Sequence, residues 1–219
     1  MSDARAAMDA IYRVQRHFYD VTRKPWLLGR DALIEELDPP AGATILEIGC
    51  GTGRNLIVLA RRHPDVACFG VDVSGAMLRT ATRSIARAGL SRRVHVARAD
   101  ATAFDPDELF GHARFDRVFV SYALSMIPAW AGVLEAAEGL TAENGSLHVV
   151  DFGAQRGLPR PIRLALNAWL ARFSVSPRHD LRERCELIAA RRGRHCETRD
   201  LYRGFAVLAR VAPLAVANK

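Results

Sequence analysis

The chain has 219 residues, 49% of them apolar, with a formal net charge of +7 and a sequence pI of about 9.8. This length suits one α/β domain with a buried core, and the composition excludes a repeat or low-complexity protein. No apolar run approaches the ~18 residues of a membrane span, and the N-terminus lacks the apolar core of a signal peptide. We therefore expect a cytoplasmic protein whose basic surface favours an anionic partner.

The first predicted element is a helix from Ala4 to Thr22, where apolar residues recur at helical spacing with arginines between them. Pro25 ends it, because proline breaks a helix. A second helix is predicted from Leu28 to Leu37. We assign residues 1–40 to an N-terminal helical cap or lid and residues 41–219 to an α/β domain.

Strands and helices then alternate, which predicts a doubly wound, mostly parallel sheet with helices on both faces. The tail "CETRDLYRGFAVLARVA" predicts two further strands joined by a tight turn, and hence a C-terminal antiparallel hairpin. The earlier predicted strands are "ATILEIG", "ACFGVDV", "RVHVARAD", "FDRVFVSYAL" and "GSLHVVDFG"; the helices are Arg54–Arg62, Ala76–Ala88 after an N-cap at Ser74, and a segment between Pro128 and Leu140.

A glycine-rich loop, "LEIGCGTGRN" (Leu46 to Asn55), lies between the first predicted strand and the helix that follows it. Ligands of open α/β sheets bind at this edge, and glycines allow a ligand to approach the backbone closely. The loop departs from the dinucleotide pattern G-x-G-x-x-G, because Arg54 holds the place of the last glycine. It also lacks the Gly-Lys-Ser/Thr of a phosphate-binding P-loop.

Acidic residues follow three successive predicted strands. Glu47 at the end of the first strand disfavours a pyrophosphate and suits an ammonium group. Asp72 at the end of the second can accept hydrogen bonds from both hydroxyls of a ribose. Asp100 at the end of the third can accept one from an adenine amino group. These positions predict a ligand that is an adenosine bearing an amino acid.

The glycine loop and the three acids together resemble the class I S-adenosylmethionine-dependent methyltransferases, over Thr44 to Phe152. The resemblance implies a seven-stranded Rossmann-like sheet, S-adenosyl-L-methionine as cofactor, and no metal site. It also implies a set of cofactor-binding residues, to which we add two residues of the N-terminal lid. These residues are Tyr19, Arg23, Glu47, Gly49, Cys50, Gly51, Asn55, Asp72, Val73, Met77, Asp100, Ala101 and Ser121.

The segment "YRVQRHFYDVTRKPWLLGRD" (Tyr12 to Asp31), together with the glycine loop and the late "LYRGFAV", resembles the bacterial betaine-lipid N-methyltransferases. The resemblance implies trimethylation of the homoserine amine of diacylglyceryl-homoserine, which gives diacylglyceryl-trimethylhomoserine. It also implies an upstream aminocarboxypropyl transferase that makes the acceptor lipid.

Methyl transfer to an amine requires a base, because a protonated amine cannot attack. We expect the catalytic residues to be Tyr19, Tyr122 and Asp151, with Tyr19 or Asp151 taking the proton directly or through water. Tyr19, Tyr122 and Phe152 are candidates for aromatic walls around the cation that forms, through cation–π attraction.

A lipid acceptor requires access to a membrane. The sequence from Arg156 to Arg194 is dense in arginine, and "RPIRLALNAWLARF" predicts an amphipathic helix carrying Trp169 and Phe173. We expect peripheral docking on the anionic cytoplasmic membrane, with Trp169 and Leu170 as the apolar part of the contact.

Other acceptors stay open at this point: another lipid headgroup, a small amine, or RNA. A nicotinamide oxidoreductase is disfavoured by the missing glycine and by the lack of any Tyr-x-x-x-Lys. "DPPA" (Asp38 to Ala41) resembles part of a nucleic-acid amine methyltransferase motif. It stands before the first strand and lacks the aromatic residue, so we interpret it as a helix stop and expect no nucleic-acid partner.

Overall fold

A computed structural model describes residues 27–172 and 175–214. Within these residues the chain forms seven helices, one short 3₁₀ turn at Leu124–Met126, and seven strands. The predicted helix from Ala4 to Thr22 lies outside them. The helices are α1 (Arg30–Leu37), α2 (Arg54–Arg62), α3 (Gly75–Arg87), α4 (Pro106–Phe110), α5 (Trp130–Gly139), α6 (Arg160–Ala171) and α7 (Leu181–Arg191). The strands are β1 (Thr44–Ile48), β2 (Ala67–Asp72), β3 (Val94–Arg98), β4 (Phe115–Ser121), β5 (Thr141–Phe152), β6 (Arg194–Leu201) and β7 (Ala206–Pro213).

One compact unit contains residues 39–113. Its three strands are parallel in the order β3-β2-β1, so the chain leaves all three at the same edge. Gly70 in the middle strand is required by close packing, since a Cβ there would lie 2.6 Å from Leu56 Cδ1 and 2.8 Å from Cys50 Cβ. That approach lets α2 and the loop after β1 lie directly against β2.

A second compact unit contains residues 28–38 and 114–214. Here β4 and β5 are parallel, whereas β7 is antiparallel to both β5 and β6, in the order β4-β5-β7-β6. The turn between β6 and β7 has left-handed backbone at Tyr202, Arg203 and Gly204. The seven strands of the described chain and this hairpin confirm the predicted α/β fold class.

The segment before β1 belongs to the second unit. The Arg117 guanidinium donates to the carbonyl oxygens of Leu37 at 2.6 Å and Asp38 at 3.0 Å, which satisfies the C-terminal end of α1. Asp38 is the C-cap of that helix, with a left-handed φ of 31°. The interpretation of "DPPA" as a helix stop is therefore confirmed.

Helix α4 was not predicted, although its signals stand in the sequence. The Asp105 carboxylate accepts from the backbone N–H groups of Asp107 and Glu108, Pro106 occupies the first turn, and Gly111 ends the helix. An aspartate cap, an N-terminal proline and a C-terminal glycine are the expected punctuation of a short helix.

Candidate active site

The loop after β1 is folded by three glycines with left-handed backbone. Gly49, Gly51 and Gly53 have φ values of 77°, 54° and 75°. The N–H groups of Gly49 and Cys50 both donate to the Val71 carbonyl, at 2.9 and 3.0 Å, which fixes the loop to the end of β2. Beside Gly51, a Cβ atom would have no other atom within 4 Å, so the loop opens on free space at this position.

Asp72, the last residue of β2, is bound to the loop. Its Oδ2 accepts from the Gly51 N–H at 2.8 Å, and its Oδ1 accepts from the Ser74 N–H at 2.8 Å. Burial raises the pKa of Asp72, and these two hydrogen bonds act against the rise. The side chain is held in one orientation, and each carboxylate oxygen retains a lone pair for a ligand hydroxyl.

Glu47 and Asn55 form a buried pair on either side of the loop. Glu47 is 1% exposed, and its Oε1 accepts from Asn55 Nδ2 at 2.7 Å. The pKa of the neighbouring Cys50 thiol is raised well above its usual value, first by burial and then by the charges of Asp72 and Glu47. The interior of the loop is therefore a negative environment, which suits a cationic ligand and disfavours a phosphate.

The residues predicted to bind the adenine lie at the start of α3 and in the turn after β3. Met77 is buried in the first turn of α3, where its N–H donates to Ser74 Oγ at 3.3 Å, and Val73 is half-buried beside it. Asp100 is exposed, and its Oδ1 accepts from the N–H and Oγ1 of Thr102 at 3.0 and 2.7 Å.

Nine of the predicted cofactor-binding residues lie in one unit. Glu47, Gly49, Cys50, Gly51, Asn55, Asp72, Val73, Met77 and Asp100 all stand at the strand edge of residues 39–113, and half-buried Ala101 follows them. The sequence interpretation missed one member of this site. Ser74 was predicted only as a helix cap, yet its backbone N–H also orients the Asp72 carboxylate.

The residues predicted for the acceptor side lie in the second unit, at the ends of β4 and β5. Ser121 is the last residue of β4, and Tyr122 follows it with left-handed backbone, φ 55°. The Tyr122 hydroxyl donates to the Leu28 carbonyl, and burial raises the pKa of this phenol well above its usual value. Tyr122 is therefore held as a neutral phenol, and its ring lies edge-on to Phe152 with centroids 4.7 Å apart.

Asp151 is a fully buried carboxyl in β5. Its Oδ2 accepts from the Ser125 N–H at 3.0 Å and its Oδ1 from the Phe152 N–H at 2.7 Å. Burial raises the pKa of Asp151 to about 6, and these hydrogen bonds oppose the rise. A carboxylate with this pKa is ionised near pH 7 and is a stronger base than an ordinary aspartate. The hydrogen bond from Ser125 to Asp151 was not predicted from the sequence.

Tyr19 and Arg23, the two residues predicted for the N-terminal lid, lie outside the described residues.

Helix α6 is amphipathic as predicted, but its apolar residues divide differently. Leu170 is 1% exposed and packs inside the unit, so it is not available to a membrane as we expected. The exposed apolar side chains are Ile162 and Leu164, at 55% and 60% exposure, while Trp169 is half-buried. Phe173 lies outside the described residues. None of the described helices is both long enough and apolar enough to cross a bilayer.

Comparison with known proteins identifies the domain. Residues 45–145 match the family model described as a methyltransferase domain. A trans-aconitate 2-methyltransferase of Methylobacterium radiotolerans is 34% identical over 104 residues, which are 48% of this chain and 36% of the relative. An uncharacterized methyltransferase of Mycobacterium bovis is 33% identical over 131 residues, which are 59% of this chain and 61% of the relative. The chain thus spans about a third to three fifths of the length of these relatives.

Among solved structures, the geranyl diphosphate C-methyltransferase of Streptomyces coelicolor, in complex with S-adenosyl-L-homocysteine, has the same fold. Its TM-score is 0.67 at 13% identity, over 84% of this chain and 78% of that one. The open space at Gly51, the oriented Asp72 carboxylate and the negative loop interior fit a cofactor with ribose hydroxyls and a positive centre. Residues 45–145 therefore match a methyltransferase domain, and the site at their strand edge fits S-adenosylmethionine as the cofactor.

Proposed function

We propose that this protein is an N-methyltransferase that trimethylates the amine of an amino-acid lipid headgroup, with diacylglyceryl-homoserine as the acceptor. The observation that carries the proposal is Asp151. It is a fully buried carboxyl whose pKa is raised to about 6, and it stands next to Phe152 and the Tyr122 ring. A base of this strength is what methylation of a protonated amine requires and what methylation of a carboxylate does not.

S-adenosylmethionine, when bound, supplies the methyl group. Asp72 would bind the ribose hydroxyls through the free lone pairs of its carboxylate, and the backbone of Gly49 and Gly51 would hold the methionine part. Val73 and Met77 would flank the adenine, and Asp100 and Ala101 would bind its edge. Glu47 keeps the loop interior negative through its buried pairing with Asn55. In this role Glu47 and Asp72 favour a cofactor with a positive sulfur over a dinucleotide.

Asp151 removes the proton that the acceptor amine must lose before each methyl transfer. Because Asp151 is 0% exposed, the proton reaches it through a water molecule or after a local opening of the structure. Tyr122 remains a phenol because its pKa is raised, so its part is to present a ring to the growing cation. The product has no N–H left, which ends the sequence of transfers at the quaternary amine.

Membrane access is supported by the charge of residues 153–179. This stretch contains five arginines and no aspartate or glutamate. It includes α6, on which Ile162 and Leu164 are exposed next to Arg160 and Arg163. An exposed apolar edge between basic side chains suits the interface of an anionic bilayer. We propose that the enzyme docks there as a peripheral protein of the cytoplasmic membrane and receives its acceptor from an aminocarboxypropyl transferase.

The test is a methyl-transfer assay with isotope-labelled S-adenosylmethionine and three separate acceptors: vesicles containing diacylglyceryl-homoserine, transfer RNA, and trans-aconitate. We expect label in the lipid alone. The Asp151→Asn variant tests the base separately, because it should abolish transfer to the lipid amine. Label in trans-aconitate that survives in this variant would replace the N-methyltransferase proposal with an O-methyltransferase.

A further inference from the structure

Gln155 occupies an unusual position in the second unit, three residues after β5. Its φ is 57°, in the left-handed region where glycine or asparagine is the favoured residue. The surrounding backbone is fixed to the β6–β7 turn: Gly153 N–H donates to Phe205 O at 2.9 Å, Gln155 N–H to Gly204 O at 2.7 Å, and Gly157 N–H to Arg203 O at 3.1 Å. The backbone alone gives no reason for a glutamine at this position.

The side chain of Gln155 is buried without a hydrogen bond. It is 1% exposed, and neither Nε2 nor Oε1 has a partner anywhere in the described part of the chain. Buried amide groups are almost always paired, because an unpaired one loses its bonds to water and gains none in return. An apolar side chain of similar size would avoid this loss. The buried amide of Gln155 therefore leaves hydrogen bonds that a ligand or a bound water can supply.

The position of Gln155 connects it with the proposed acceptor residues. The Phe205 ring lies 5.7 Å from that of Phe152, which in turn lies 4.7 Å from the Tyr122 ring. The backbone of Gly153, two residues before Gln155, is bonded to Phe205. The same turn reaches the surface, since Tyr202 is 53% exposed. The backbone segment that carries Gln155 is thus bonded to a turn that reaches from the surface at Tyr202 to Phe205 of the aromatic cluster.

We propose that Gln155 recognises the amino-acid headgroup of the acceptor, with Nε2 donating to the carboxylate and Oε1 accepting from the amine. The two polar atoms of a carboxamide stand side by side, as do the amine and the carboxylate on one α-carbon. The Nε2 bond persists through every methylation, whereas the Oε1 bond is lost when the last N–H is replaced. Gln155 therefore holds the substrate and both intermediates more tightly than the product. This inference rests on the proposed function, because it assumes an acceptor that carries both groups.

The test uses Gln155→Leu, which removes both polar atoms at similar size, and Gln155→Glu, which sets a second carboxylate against that of the headgroup. The matched control is Asn144→Leu, which removes an exposed amide in the same unit. In Gln155→Leu we expect an unchanged or higher Tm, unchanged affinity for S-adenosylhomocysteine, and a KM for diacylglyceryl-homoserine vesicles raised about tenfold or more. Gln155→Glu should raise the KM further. An unchanged KM in Gln155→Leu would overturn the inference.

A second measurement does not depend on turnover. The side-chain ¹⁵N–H signals of Gln155, assigned by their loss in Gln155→Leu, are followed in protein saturated with S-adenosylhomocysteine. We expect them to shift with L-homoserine and not with 3-aminopropan-1-ol, which lacks the carboxylate. A shift with L-homoserine in a protein that does not methylate the lipid would support headgroup recognition and reject the proposed acceptor. Signals that stay fixed while the lipid is methylated, together with an unchanged KM, would reject the inference and leave the proposed function standing.

Discussion

The Asp72→Ala variant should lose most of its affinity for the cofactor. The Asp72 carboxylate is already oriented by the N–H groups of Gly51 and Ser74, both at 2.8 Å, so it would bind a ribose without reorganisation. A hydrogen bond to a charged acceptor contributes about 1.5–3 kcal/mol. Two ribose hydroxyls then account for about 3–6 kcal/mol, which corresponds to a loss of roughly 10²- to 10⁴-fold in affinity.

The assay is isothermal titration calorimetry of S-adenosylmethionine and S-adenosylhomocysteine against the wild type and the variant. Asp105→Ala is the matched control, because Asp105 also accepts two backbone N–H bonds in the same unit, at the start of α4. That control should lose about 0.5–2 kcal/mol of stability as a helix cap and keep its cofactor affinity. If folded Asp72→Ala binds S-adenosylhomocysteine as tightly as Asp105→Ala does, the assignment of Asp72 to the ribose is wrong.

Three further predictions concern the lid, the membrane surface and the buried acid. Deleting residues 1–22 should leave the circular dichroism of the α/β domain intact and abolish methyl transfer; full activity would reject the lid. Replacing Arg160, Arg163 and Arg172 by glutamine should weaken the free energy of binding to anionic vesicles by about 1 kcal/mol per arginine at low salt, and by less at high salt. Vesicle sedimentation measures this change. Equal sedimentation of this variant and the wild type would reject docking through α6. The pKa of Asp151 is higher in the folded protein than in the unfolded chain, so the protonated side chain favours the folded state below about pH 4. As pH rises through about 6, Asp151 ionises in its buried position and the free energy of unfolding falls by about 3 kcal/mol. Denaturant unfolding of the wild type and Asp151→Asn should show this difference, and parallel pH profiles would contradict it.

Local rules were enough to predict the sheet and the cofactor loop. The N-cap at Ser74, the helix stop at Asp38 and the turn near Tyr202 each depend on the conformational preferences of a few adjacent residues. The same holds for the glycines after β1, since their spacing alone excludes a dinucleotide fingerprint. The order of acids at successive strand ends follows from the parallel pairing of β1, β2 and β3.

Pairing between distant residues was not predictable in this way. The sequence places Glu47 at a strand end but does not show that Asn55 holds its carboxylate in the interior. On α6 the helical period defines an apolar stripe, whereas only the packed structure shows that Leu170 is buried and Leu164 exposed. Gln155 carries no sequence signal at all, because its unpaired amide is a consequence of three-dimensional burial.

The proposed methylation of diacylglyceryl-homoserine can be measured in the lipids of a cell that expresses this chain together with an aminocarboxypropyl transferase. We expect mass spectrometry of the lipid extract to show diacylglyceryl-homoserine carrying three methyl groups on its nitrogen. The Asp72→Ala and Asp151→Asn variants, expressed at the same level, should leave the lipid unmethylated. If the homoserine lipid stays unmethylated in cells whose wild-type chain binds S-adenosylmethionine, the protein is not a methyltransferase of this lipid.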